Sequence, residues 1–177
     1  EDKKIIQHVE LPEVINELSI TLRLNIQNHN PDWACIFHKG EDAHEARTPA
    51  LWLTPKNSAP HPRFSMTNNW NEGIGSVGSG LSLNRWYHLA YTLSDSKKRL
   101  DFYIDGKWIG FYSIQQVQTQ QIIFNHEPLY IGADKIWSGI TGQIGNFRYY
   151  NWRLSAEEVT EEYLKHINYT NYANTID

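Results

Sequence analysis

The sequence predicts an all-β fold, a sandwich of two antiparallel sheets with one short C-terminal helix. Three stretches carry that prediction. Residues 81–109 read as three strands joined by two tight turns. Residues 18–26 alternate apolar and polar side chains almost without a break. From Ser155 a capping signature opens the one helical segment.

The first strand is expected over residues 5–11, stopped by Pro12, and to pair with the strand around Phe147. In the next strand Leu18, Ile20, Leu22, Leu24 and Ile26 face the core, so Ser19, Thr21, Arg23 and Asn25 are expected in solvent. Residues 28–32 form a loop, 33–39 a strand and 40–45 a charged loop. Strands follow at 48–54 and 63–67, split by a Pro/Asn/Ser linker. Asn and Gly breakers make 68–80 a long connection around Trp70.

The meander comes next. Tyr87, Leu89, Tyr91 and Leu93 share one apolar face, with Trp86, His88, Ala90 and Thr92 opposite. Asp105-Gly106 supplies the two positive-φ residues of a type I′ hairpin turn before the returning strand. Short strands are expected at 121–124 and 128–132, and a long one at 140–150. In the helix, Ser155 is the N-cap, Glu158 closes the capping box, and Leu154 with Val159 forms a hydrophobic staple. The helix is expected to end near His166. Residues 1–167 thus make one domain, and 168–177 a polar tail.

Composition excludes several classes. With 177 residues, 40% hydrophobic, the chain can bury the core of one domain. A formal charge of −4 and no basic stripe argue against nucleic acid. Its apolar runs are too short to insert in a membrane. Cys35 is the sole cysteine, so there is no internal disulfide. The start at Glu1 rather than Met is expected of a piece of a longer protein, with neighbouring domains as partners. Asn168-Tyr169-Thr170 matches a glycosylation acceptor, and an extracellular or cell-surface setting is favoured.

Five motifs in order resemble the laminin-G-like, concanavalin-A-like jelly-roll family, which includes pentraxins and legume-type lectins. They are Ile36-Phe37-His38-Lys39-Gly40, the run 83–91, the run 100–107, Pro128-Leu129-Tyr130-Ile131-Gly132 and the run 142–159. The resemblance implies a jelly-roll β-sandwich whose relatives are mostly binding modules for sugars, protein surfaces or lipids, some using calcium at the rim. A minority of the wider group hydrolyse glycosides, with an arrangement resembling Glu-x-Asp-x-Glu that this chain lacks.

Candidate sites follow. Trp70 and Trp137 each lie in a Gly/Asn/Ser-rich loop, where an exposed indole can face a sugar's C–H surface while amides bind hydroxyls. Asn69, Trp70 and Asn71, beside Glu72, form one platform and Trp137 another. Loop packing or a protein hot spot is the alternative. The acidic loop of Glu41, Asp42 and Glu45 reads first as solvated surface. The resemblance also places a calcium ion there, between Asp42 and Asp134, as the one cofactor. Zinc at Cys35 and His38 would need a bulge, because residues three apart on a strand face opposite sides. No strand carries a paired-carboxylate arrangement for glycoside cleavage. The function expected is a non-catalytic, lectin-like module binding a glycan through rim loops, with a protein-interaction or scaffolding domain as alternative and a glycoside hydrolase as the third reading.

Overall fold

The computed structural model describes residues 3–41 and 46–173. In chain order the strands are β1 (Lys4–Ile6), β2 (Glu17–Asn28), β3 (Ala34–Lys39), β4 (Ala50–Leu53), β5 (Pro60–Met66), β6 (Asn69–Gly73), β7 (Trp86–Ser94), β8 (Arg99–Ile104), β9 (Lys107–Ser113), β10 (Leu129–Ile131) and β11 (Thr141–Tyr150). One 3-10 turn (His8–Glu10) and the helix α1 (Ala156–Ala173) complete the set. A six-stranded sheet runs β1-β10-β3-β4-β5-β6, and a five-stranded sheet runs β11-β2-β7-β8-β9, antiparallel throughout. This is the two-sheet sandwich the patterning predicts, in the jelly-roll form the resemblance implies.

Between the sheets lies one core. The alternating leucines and isoleucines of β2 meet Leu89, Tyr91 and Leu93 of β7, Phe102 of β8, and Phe37, Leu51 and Phe64 from the facing sheet. Each such side chain, taken from water to full burial, contributes about 1.5–3 kcal/mol. Both residues of the Asp105-Gly106 turn have positive φ, 52° and 74°, as type I′ requires. At Gly106 a Cβ would sit 2.9 Å from the Tyr163 ring, so the turn also makes room for α1.

The helix changes the fate of the second face of β2. Glu158 N–H donates to Ser155 Oγ at 3.1 Å, and Ser155 N–H donates back to Glu158 Oε1 at 3.0 Å, the capping box read from sequence. Leu154 and Val159 then pack on Ala90 and Tyr103, across the outer face of the five-stranded sheet. Ser19 and Thr21, expected in solvent, are buried beneath this layer, and so is most of Arg23. Ser19 Oγ accepts from Leu154 N–H and donates to the Trp152 carbonyl, both at 2.9 Å, which ties the start of the helix to the sheet. The helix also outruns its expected end, continuing to Ala173 with Asn168 on it.

Three further expectations are corrected. β1 pairs with β10, Ile5 opposite Tyr130, rather than with the strand around Phe147. A register shift between Gly145 and Arg148, with Asn146 at φ 47°, interrupts β11 where a further strand would have to pair. The 68–80 connection contains a real strand, β6, at the sheet edge. Residues 121–124 instead contribute only an isolated bridge, Met66 to Ile122.

Candidate ligand face on the six-stranded sheet

Among the described residues no helix lies over the outer face of the six-stranded sheet, and the side chains of that face follow from strand alternation. In β4, Leu51 and Leu53 point into the core, which turns Ala50 and Trp52 outward. Trp52 lies opposite Cys35 of β3 and His61 of β5, and Ala50 lies opposite His38 and Arg63. Cys35 and His38 share this face because a bulge between Cys35 and Phe37 adds one residue to β3.

Trp137, in the loop between β10 and β11, packs with Trp33 against Cys35, Ala50 and Trp52. From Trp52 the array continues through Arg47, whose guanidinium stacks over the Trp52 ring at 4.9 Å and the Trp70 ring at 4.4 Å. Trp70 remains 40% exposed. The sheet therefore joins the two loop tryptophans singled out from sequence into one row, Trp137–Trp52–Arg47–Trp70. The polar groups beside Trp70 are ordered too. Asn71 Oδ1 accepts from Arg63 Nε at 2.8 Å and Arg47 Nη1 at 3.1 Å, and Asn69 Oδ1 accepts from Asn71 N–H at 3.0 Å. Asn69 Nδ2 donates to Glu72. Arg47 thus engages the strand through Asn71 and Trp70.

Behind the row sits Asp134. Its Oδ1 accepts from the backbone N–H of Ile136 (2.8 Å) and Trp137 (2.6 Å). Its Oδ2 accepts from the Trp52 indole at 3.2 Å and lies 3.3 Å from His38 Nδ1. Burial pushes this carboxyl up, but the His38 imidazole and the Trp137 and Ile136 amides outweigh burial and hold its pKa below the usual carboxylate range. Asp134 is a strut that fixes Trp137 over Trp52. A calcium ion there would have to displace these donors, and Asp42, its expected partner ligand, lies outside the described residues. Among the described residues no group of three or more His, Cys, Asp or Glu is placed to hold a metal.

Burial shifts two further groups on this face. Burial, then the Asp134 charge, pushes the Cys35 thiol well up, away from nucleophilic use. Burial, then Arg63 and Arg47, pushes His61 down to about 4, so it is neutral at physiological pH. Asp101, on the other sheet's outer face, accepts from Arg99, Arg153 and Trp108. Burial pushes its carboxyl up, and these bonds bring it below the usual range. Glycoside cleavage needs a carboxyl with a raised pKa as proton donor. The described carboxyls with a resolved shift, Asp101, Asp134 and Glu162, all move the other way.

Trp33, Trp52, His61 and Arg63 belong to the face and were not singled out from sequence. For Trp52 the one legible signal was its place in the strand expected over residues 48–54.

Known proteins of the same architecture place the chain. The Concanavalin A-like lectin/glucanases superfamily matches over residues 5–160. No curated protein sequence matches it. Among solved structures it resembles the SAP-like pentraxin of Limulus polyphemus at 14% identity and TM-score 0.61, covering 82% of this chain and 69% of that one. A Bacteroides ovatus protein described as carbohydrate binding gives 15% identity and TM-score 0.66, covering 90% and 44%. Trypanosoma rangeli sialidase gives 18% and 0.62, covering 84% and 23%. The chain spans less than half of the latter two proteins, and at these identities the likeness shows the fold alone.

Proposed function

The chain belongs to the Concanavalin A-like lectin/glucanases superfamily, and from that membership we propose that it is a non-catalytic carbohydrate-recognition module of a larger protein. The sugar lies on the outer face of the six-stranded sheet, against Trp70 and alongside Trp137, with Asn69, Asn71 and Arg63 supplying polar contacts. The observation that carries this reading is the row Trp137–Trp52–Arg47–Trp70, an exposed indole backed by a guanidinium and held by a bonded asparagine. Indole offers the flat apolar surface that a pyranose face needs, and ordered amides and guanidinium give the hydroxyls partners without a fresh ordering cost. Binding in this mode is calcium-independent, a choice supported by the saturated surroundings of Asp134.

A glycan array with the purified domain, repeated with Trp70→Ala, tests it. Selective glycan binding that is lost in the variant supports the reading, and no glycan binding at all refutes it.

A second reading, a protein-interaction or scaffolding module, is favoured by a different surface. On the edge strand β9, Trp108, Ile109 and Phe111 are 53%, 42% and 48% exposed, and the Trp108 and Phe111 rings stack at 5.5 Å. An apolar edge of this kind suits a partner protein. Co-purification of a stable partner that is lost in Trp108→Ala, with empty glycan arrays, would shift the assignment to it.

A further inference from the structure

One residue beyond His38, alternation turns Lys39 to the inner side of β3, where it is 3% exposed. It lines a cavity of about 540 Å³ whose walls include Leu11, Val14, Ile122 and Phe124. His8, His126 and Glu13 also line it, as does Tyr149 of β11. The Lys39 ammonium donates to the Asn125 carbonyl and, at 3.3 Å, to Asn125 Oδ1. Both acceptors are neutral. Among the described residues the lysines in ion pairs are Lys98, Lys135 and Lys165, not Lys39. Glu127 is felt by Lys39 only at a distance. The His8 and His126 rings meet edge to face at 4.7 Å, and His8 Nδ1 is buried with no hydrogen-bond partner among the described residues.

We propose that this cavity binds a small organic carboxylate with an apolar tail, the carboxylate pairing with the Lys39 ammonium and the tail lying against Ile122 and Phe124. A buried ammonium with only neutral acceptors lacks the charge that would compensate its desolvation, and a carboxylate supplies it. Burial, and then the positive charge of Lys39, pushes His8 down. Its imidazole is therefore neutral near pH 7 and can donate a hydrogen bond to the second carboxylate oxygen. Glu13, an exposed residue, is the one acid on the lining and works against binding. The volume falls in the range of small-molecule sites, and the apolar walls set the preference for a hydrocarbon body over a bare anion. The site lies apart from the tryptophan row and does not depend on the sugar-binding reading.

Burial pushes Lys39 down to about 8. Its charge is thus largely present near pH 7 and largely gone near pH 9, and Tyr149, pushed up by burial, stays neutral across that interval.

The test is calorimetric titration of the unmodified chain with hexanoate and, separately, with 1-hexanol. Hexanoate is expected to bind at least about tenfold tighter than hexanol at about pH 7 and to weaken about tenfold by about pH 9. Lys39→Met is expected to abolish the preference, and Glu13→Gln, at an exposed position, to strengthen hexanoate binding severalfold. Equal affinities for the two probes would mean an apolar crevice only and would overturn the proposal. So would the absence of binding up to about 10 mM, or hexanoate binding that is indifferent to pH and to Glu13→Gln. The wild-type pH series and Glu13→Gln decide the matter even if Lys39→Met does not fold.

Discussion

The two outer faces of this sandwich begin alike and end differently. Each presents alternating polar and aromatic side chains, each carries arginine stacked on tryptophan, and each holds a histidine pushed down to about 4. On the five-stranded sheet α1 lies across that face, so Arg23, stacked over Trp86 at 4.3 Å, hydrogen-bonds His166 of the helix at 3.0 Å and is nearly buried. On the six-stranded sheet no helix among the described residues intervenes, and the matching chemistry of Arg47 and Trp70 reaches solvent. Chemistry of the same type is spent on packing where it is covered and offered to a ligand where it is not.

The contrast can be broken most violently from the covered side. Val159→Asp places an unpaired charge against Ala90 and Tyr103 and is expected to cost about 3–5 kcal/mol, read as a large fall in melting temperature. If the loss were below about 1 kcal/mol, the helix would be an ornament rather than a layer.

Acid comes next. His88, 4% exposed beneath α1, is held down to about 4, first by burial and then by the neighbouring His166. The unfolded chain takes up this proton near pH 6.5 and the folded one only near 4. The unfolded state thus binds more protons within that window, and stability must fall as pH falls through it. The expected loss from this group is up to about 3 kcal/mol, and chemical denaturation at a series of pH values should show it reduced in His88→Gln. A pH-independent midpoint between about 6.5 and 4 would remove the histidine from the helix's account.

Smaller again, Ser155→Ala removes the N-cap and is expected to cost about 1 kcal/mol in denaturant unfolding. At the exposed face the order inverts. Trp70→Ala is expected to cost about 1 kcal/mol or less in stability while abolishing glycan binding, because its ring is 40% exposed and already stacked on by the Arg47 guanidinium. A chelator is expected to leave both the melting temperature and glycan binding unchanged.

How much of this was legible depends on whether the cause is local. The β2 alternation, the Asp105-Gly106 turn and the Ser155–Glu158 capping box are set by neighbours in sequence, and all are present. What covers a face is not local. Nothing near Ser19 or Thr21 announces that a helix more than a hundred residues later will bury them. The bulge that brings Cys35 and His38 to one side has no signature in Cys-Ile-Phe-His. The pairing of β1 was misjudged because an edge is chosen by what remains open once the sheets are built. In the candidate site, Trp137 was legible as a loop indole, and Trp70 was singled out too, although it stands on β6 rather than in a loop. Their union through Trp52 and Arg47 was not, since it requires knowing that β4 and β6 lie in one sheet. Asp134 was picked out through the family resemblance, and its surroundings turn its charge inward to hold the Trp137 loop.

The measurement that bears most directly on the central claim compares glycan binding by the wild-type domain with that of Trp70→Ala and Trp108→Ala, each first shown to melt near the wild-type temperature. Loss in Trp70→Ala with retention in Trp108→Ala is the predicted result. Full binding in Trp70→Ala would contradict the assignment of the six-stranded sheet's outer face as the ligand face.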